Sequence, residues 1–138
     1  MIVLDEQLMG RNIESEIAKW YQGTVCFITE LRPKTVIKDD AIPELLYKQS
    51  QATFITINEK DFWRKTAINS QCCMVCLTLP DSRVREIPQT LRALFHRPDF
   101  GTKAKRMGKV IRVTDKGVSY YTFNDRKIEI LSYVSIVC

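Results

Sequence analysis

Residues 1–6, Met1-Ile2-Val3-Leu4-Asp5-Glu6, are four apolar residues followed directly by two acids. Such a short apolar run predicts a buried β-strand, and the acids then lie where the strand ends. In open α/β sheets, ligands and catalytic groups collect at the carboxyl ends of the strands. The first six residues therefore predict both the start of a sheet and the position of a site.

Strand and helix patterns alternate four times between residues 1 and 96. The predicted strands are residues 1–4, 24–29, 53–56 and 71–77, and the predicted helices are residues 7–21, 39–50, a short one from about 59, and 84–96. This alternation is typical of a parallel sheet covered by helices on both faces. We therefore expect an α/β protein with a three-layer α/β/α architecture.

The last part of the chain has a different pattern. Residues 109–114, 118–123 and 127–133 are β-rich, and short turn segments containing Gly117 and Asn124 separate them. Tight turns between β-rich runs predict an antiparallel meander. We expect an α/β domain over residues 1–100 and a basic β-hairpin or meander extension over residues 101–138.

The composition excludes several classes of protein. The chain has 138 residues, of which 27% are charged, so neither a disordered nor a fibrous protein is expected. No apolar run reaches the roughly 18 residues of a membrane span, and no basic region precedes a hydrophobic leader. The sequence therefore predicts a cytoplasmic protein without membrane contact.

The positive charge is unevenly distributed. The net charge is +5, and acidic and basic residues cancel over residues 1–100, so the excess lies after residue 100. A polyanion such as RNA would bind such a segment, although a solvated surface is the alternative interpretation. The basic residues predicted to contact nucleic acid are Lys60, Lys103, Lys105, Arg106, Lys109 and Arg112.

The five cysteines do not indicate a disulfide framework, because their number is odd and no secretory leader is seen. Cys73 and Cys76 form a C-x-x-C, but they lie in a predicted strand that places them on opposite faces. A zinc site would need a second pair of ligands, and His96 is the only histidine. These cysteines are therefore predicted to be core residues.

Three acids are predicted to meet at one edge of the sheet. Asp5 ends the first strand, Asp40 starts a helix that feeds the third strand, and Asp61 follows the third strand. All three positions lie at the carboxyl edge of a parallel sheet. Clustered carboxylates suit a hard cation, Mg²⁺ or Mn²⁺. Each acid taken singly is equally typical of an N-cap or a first helical turn.

Two motifs of the sequence resemble those of a known protein family. The I-V-L-D-E-Q-L start, together with T-x-N-x-x-D-F at residues 56–62, resembles the PIN-like nuclease superfamily, in particular the short bacterial proteins that begin L-D-E-N-L. The match covers about residues 1–95. It implies that Asp5, Asp40 and Asp61 hold Mg²⁺ or Mn²⁺, and that Thr56 orients a phosphate or a water molecule.

The chain also departs from that family's pattern. Fuller PIN domains carry a further acid on inserted helices, and the usual turn after the third strand lacks the extra Ile57 found here. Glu6 is the candidate for the further acid, and Asp81 is a weaker one. The meander lies outside the match.

The predicted function is metal-assisted hydrolysis of RNA by a PIN-type endoribonuclease, with a toxin of a toxin–antitoxin pair as the implied role. The partners would be RNA and an antitoxin protein, and a homodimer is an open possibility. Three alternatives remain. They are a non-catalytic PIN-fold module that binds nucleic acid or protein, a receiver-like phosphoacceptor, and an adaptor that binds nucleic acid through the meander alone. The receiver needs an aspartate where this chain has Thr56.

Overall fold

The computed structural model describes residues 1–33, 37–65 and 68–132. Seven strands form one sheet in the order β2-β1-β3-β4-β5-β6-β7. The strands are β1 (Ile2–Leu4), β2 (Val25–Phe27), β3 (Ala52–Thr56), β4 (Cys72–Leu77), β5 (Lys109–Thr114), β6 (Gly117–Thr122) and β7 (Asp125–Ser132).

The sheet is parallel from β2 to β5 and antiparallel from β5 to β7. The predicted α/β class and the C-terminal antiparallel strands are confirmed. The number of parallel strands differs from the prediction, because β5 pairs in parallel with β4 and makes five rather than four. The meander therefore continues the same sheet across the predicted boundary at residue 100.

Helices cover both faces of the sheet, as predicted. The helices are α1 (Ile13–Ala18), α2 (Ile28–Leu31), α3 (Ile42–Tyr47), α4 (Glu59–Phe62), α5 (Ile87–Phe95) and α6 (Lys103–Arg106). The apolar residues of α1 and α5 pack on one face, here the α1 face, together with Leu4 and Ile55. Those of α2, α3 and α4 pack on the opposite face, here the α3 face, with Val3 and Phe54. No helix of the described residues is long and apolar enough to cross a bilayer.

The prediction of a single helix over residues 7–21 is wrong. A 3₁₀ turn over Glu6–Leu8 is followed by an irregular segment, and α1 starts only at Ile13. Gly10 and Asn12 in this segment have φ angles of 76° and 61°, which no α-helix contains. Leu8 and Ile13 are still buried in the same core, so the apolar periodicity of the segment is real although the helix is not continuous.

The crossover from β4 to β5 runs over the α1 face. The crossover from β3 to β4 runs over the α3 face. Both crossovers connect to the next strand on the same side in the strand order. The two connections consequently have opposite hand, although right-handed crossovers are the strong norm. Because α5 covers the α1 face, the α3 face of β5 and β6 is left to side chains that follow α4, among them Trp63.

The central strand β4 is buried along its whole length. Cys73 packs on the α1 face, and Cys72 and Cys76 pack on the α3 face, which confirms their prediction as core residues on opposite faces.

Candidate functional site

The ends of β1 and β3 form the point at which the chain changes direction along the sheet. From β1 the chain passes over the α1 face to β2, and from β3 it passes over the α3 face to β4. In open α/β sheets, a crevice opens between two strands whose connections diverge in this way, and ligands bind there. Asp5 directly follows β1, and Thr56 is the last residue of β3.

A chain of hydrogen bonds links Asp5 to the turn after β3. The buried Thr56 hydroxyl donates to Asp5 Oδ2 at 2.6 Å and accepts from the Asn58 backbone N–H at 3.0 Å. The Asn58 side-chain amide donates to Asp61 Oδ2 at 2.6 Å. The residues Asp5, Thr56, Asn58 and Asp61 thus form one connected unit. Since its proton is directed at Asp5, Thr56 positions that carboxylate, whereas we expected it to contact a phosphate or water.

An open cleft of about 660 Å³ lies beside this unit and is here called the acidic cleft. Its lining consists of Asp39, Asp40, Pro43, Glu44, Tyr47, Asp61 and Lys65. The acid of this segment that interacts with Asp5 and Asp61 is Asp39, whereas the sequence pointed to Asp40. The two aspartates are consecutive in a 3₁₀ turn, in which neighbouring side chains point about 120° apart. Asp40 also lines the cleft, and its charge acts on Asp39.

The carboxylates affect one another electrostatically. Burial raises the pKa of Asp5, and the charges of Asp39 and Glu6 raise it further, while hydrogen bonds from Thr56 and the Glu6 backbone oppose the rise. Burial also raises the pKa of Asp39, followed by contact with the Asp61 carboxylate and by the charges of Glu6 and Asp40. The ionised acids therefore repel one another, and a cation would relieve this repulsion.

The two candidates for a further acid are distinguished by their neighbours. Glu6 is exposed and lies close enough to Asp5 and Asp39 to influence both. Asp81 instead forms an ion pair with Arg11 at 2.9 Å. Glu6 therefore belongs with the acids of the site, and Asp81 has a different partner.

The oxygen-only donors of this site suit Mg²⁺ or Mn²⁺ in their chemistry. No three carboxylate, imidazole or thiol groups within residues 1–33, 37–65 and 68–132 are close enough together to form a ready-made metal site. Binding of one cation by three of these carboxylates therefore requires side-chain rotation. Metal binding by Asp5, Asp40 and Asp61 stays a prediction.

The basic residues predicted to contact RNA lie at two opposite edges of the sheet. Lys60 is exposed in α4, beside Asp61. Arg112 lies on the same side of the molecule, where its guanidinium binds Glu59 at 3.0 Å and stacks on Trp63. Both residues lie toward the carboxyl edge, outside the lining of the acidic cleft, and Arg112 already has an acidic partner.

The other four lie at the amino edge, which contradicts our expectation that the tail flanks the acids. Gly108, just before β5, donates to the carbonyl of Cys72 at the start of β4. The charges of Lys103 and Arg106 lower the pKa of the Met1 amino group, after burial, so α6 lies near the start of β1. The residues concerned are Lys103, Lys105, Arg106 and Lys109.

Three of these four have structural contacts, and among them the exposed ammonium of Lys105 donates to the carbonyl of Pro98 at 3.0 Å. Arg106 is 5% exposed, stacks on Phe95 and donates to the carbonyl of Phe100. The ammonium of Lys109 lies over the rings of Phe100 and Tyr120. Nucleic-acid binding by the exposed Lys103 and Lys105 stays a prediction, but it would occur far from the acids.

Sequence reasoning missed three residues of the site. Asn58 connects Thr56 to Asp61, although in the sequence only its place in the T-x-N-x-x-D-F motif marks it. Asp39 contacts Asp61, whereas the sequence predicts its neighbour Asp40 for the site. Lys65 lies four residues after Asp61, a spacing that places two helical side chains on one face and so could have indicated their proximity.

Comparison of the chain with protein-family models, with curated proteins and with solved structures finds no match in any of the three.

Proposed function

We propose that this protein is a metal-dependent endoribonuclease whose acidic cleft hydrolyses RNA phosphodiesters. The observation that carries the proposal is the hydrogen-bonded unit of Asp5, Thr56, Asn58 and Asp61, located where the connections of β1 and β3 diverge. The same residues carry the resemblance to PIN-like nucleases. A toxin role and an antitoxin partner follow from that resemblance and are part of the proposal.

Asp5, Asp39 and Asp61 would hold the cation, with Asp40 and Glu6 adding negative charge at its rim. A bound Mg²⁺ or Mn²⁺ would neutralise phosphate charge and lower the pKa of a water molecule. The protein's own contribution is positional. Thr56 fixes the rotamer of Asp5, and Asn58 holds Asp61 against the turn after β3.

One observation favours the alternative of a non-catalytic binding module. The Asp5 carboxylate is buried and already bonded to Thr56, so it has a structural partner without any cation. In that case the acidic cleft would bind a basic segment of a partner, and cleavage would be absent.

The test compares the wild-type protein with Asp5→Asn on a mixed RNA pool with Mn²⁺. We expect cleavage by the wild type and a loss of at least about 100-fold in Asp5→Asn, since a preorganised charge at the reacting phosphate is removed. The control is Asp81→Asn, which removes an acid paired with Arg11 and should cleave like the wild type. Equal cleavage by Asp5→Asn would indicate a contaminating nuclease, and no cleavage by the wild type would favour the binding module.

Calorimetry provides a second readout that does not depend on activity. Mn²⁺ at about ten times its Kd should add roughly 1.4 kcal/mol to the free energy of unfolding of the wild type. Asp5→Asn should lose most of this gain, and Asp81→Asn should keep it. An unchanged melting temperature of the wild type at millimolar Mn²⁺ would contradict the metal site.

A further inference from the structure

Two exposed arginines from distant parts of the chain hold each other in place on the α3 face. Arg64, after α4, donates to the backbone carbonyl of Arg126 at 2.8 Å, and Arg126, in β7, donates to that of Arg64 at 2.6 Å. Both guanidinium groups lie against the ring of Tyr121, at 4.9 and 4.7 Å from its centre. The ring is itself fixed, because the Tyr121 hydroxyl donates to the carbonyl of Trp63. This arrangement is here called the arginine clasp.

The clasp has two positive charges and no acidic partner among the described residues. Other arginines of the chain do pair with carboxylates, as Arg83 does with Glu86 and Arg112 with Glu59. Two like charges against one ring repel each other, and stacking and backbone hydrogen bonds hold them there. Each guanidinium has five N–H groups, so donors remain for an anion on the exposed side. The clasp is therefore preorganised for an anionic ligand.

The clasp is linked to the acidic cleft through one short segment of the chain. Lys65 lines that cleft, and Arg64 directly precedes it in the chain. Lys60 is exposed in α4, four residues before Arg64. The clasp lies toward the amino edge of the sheet, because Tyr121 pairs with Val110 and the start of β7 is level with Lys109. It is on the α3 face, whereas α6, with Lys103 and Lys105, lies beside the α1 face, where Arg106 stacks on Phe95.

We propose that the arginine clasp binds backbone phosphates of RNA and so positions the strand at the acidic cleft. This inference rests on the proposed nuclease function and names the surface that holds its substrate. The planar guanidinium fork matches a phosphate with two parallel hydrogen bonds, which a lysine ammonium cannot do. Stacking on Tyr121 fixes that fork before binding, so less side-chain entropy is lost when the phosphate arrives.

The experiment measures binding without cleavage. In the Asp5→Asn background, fluorescence anisotropy of a labelled single-stranded RNA oligonucleotide is recorded at several salt concentrations and without divalent metal. Arg64→Gln/Arg126→Gln is compared with Lys103→Gln/Lys105→Gln, which removes the same charge beside the opposite face of the sheet.

We expect the clasp variant to bind at least tenfold more weakly. Its salt dependence should be shallower by about 1.4 units, because each single-strand phosphate that the protein no longer neutralises accounts for roughly 0.7. The lysine variant beside the opposite face should change affinity less than twofold. Equal weakening by both variants, or greater weakening by the lysine pair, would overturn the proposal.

The variant Arg64→Lys/Arg126→Lys keeps the charge and removes the guanidinium fork. Binding of intermediate strength is therefore expected. Full wild-type affinity would instead reduce the clasp to a simple charge patch and overturn the phosphate assignment.

Failure of this inference can be distinguished from failure of the nuclease proposal. If the wild type cleaves RNA and the clasp variants bind and cleave equally well, the clasp assignment is wrong and the function stands. If no protein cleaves but RNA binding depends on the clasp, the nuclease is wrong and the surface stands. An acidic peptide that competes as well as RNA of equal charge would overturn the choice of phosphate. Far-UV circular dichroism of each variant shows whether it is folded.

Discussion

Asp39 is exposed on a 3₁₀ turn, yet its carboxyl has three acidic neighbours, Asp61, Glu6 and Asp40. Partial desolvation of this carboxyl is the first cause of its raised pKa, and these charges add to it. A carboxyl whose pKa is higher in the folded state binds more protons when folded. Its ionisation therefore lowers stability as pH rises through that window, and the stability returns on acidification.

Asp39→Asn is expected to raise the free energy of unfolding at pH 7 by roughly 0.3 to 0.5 kcal/mol, the scale of an exposed charge pair. The gain should vanish below the unfolded-state pKa, where Asp39 is protonated in both states. Chemical denaturation at pH 7 and pH 3 measures it. The matched control, Asp81→Asn, loses an ion pair with Arg11 and should show no gain at pH 7.

Divalent cations should reverse the sign of this effect. With saturating Mn²⁺ the wild type gains binding energy that Asp39→Asn lacks, so the variant should become the less stable of the two. A variant that stays more stable at every Mn²⁺ concentration would show that Asp39 is not a ligand.

At the scale of elements, the segment between β1 and α1 depends on backbone conformation. Gly10 has a φ of 76°, and a Cβ atom added there would meet nothing within 4 Å. Substitution at this position is therefore a conformational test without steric clash. The segment matters because it follows Asp5 and Glu6 and turns the chain into α1.

Gly10→Ala is expected to destabilise the protein by about 1 kcal/mol, the usual cost of placing a non-glycine residue in the left-handed region. Gly10→Asn should cost less, because asparagine tolerates this region. Thermal unfolding of the two variants provides the measurement. A stabilising Gly10→Ala would mean that the segment adopts a helical conformation, as its apolar periodicity suggests.

At the scale of the whole molecule, periodicity predicts most of the strands and helices, but it does not predict which strands pair in the sheet. Residues 109–114 have a pattern that suits a meander strand or a parallel strand equally, so the pairing of β5 with β4 was missed. The position of the basic tail followed from topology and could have been foreseen. A helix returns the chain to the amino edge, so residues that precede β5, such as Lys103, lie opposite the acids.

The candidate site was predictable only in outline. Asp5 and Asp61 follow strands, and the carboxyl ends of parallel strands share an edge, so sequence alone placed both there. Asp39 and Asp40 are consecutive in a 3₁₀ turn, so their side chains point in different directions. The sequence pattern does not show which of the two points toward Asp61. The arginine clasp joins residues 62 positions apart, and only the sheet brings them together.

The thiols of the central strand have a consequence for how the protein's opening can be followed. Burial raises the pKa of Cys73 and Cys76 to about 12, and the thiolate is the reactive form. In a Cys26→Ser/Cys138→Ser background, alkylation of β4 should therefore proceed only when the sheet opens between β3 and β5. Mass spectrometry should show all three thiols of a molecule modified together. The rate should be set by opening of the sheet and not by ionisation of the thiols in the native state. Rapid modification of Cys73 alone would instead show that β4 opens locally. Alkylation would then measure local opening of the strand and not cooperative unfolding of the protein.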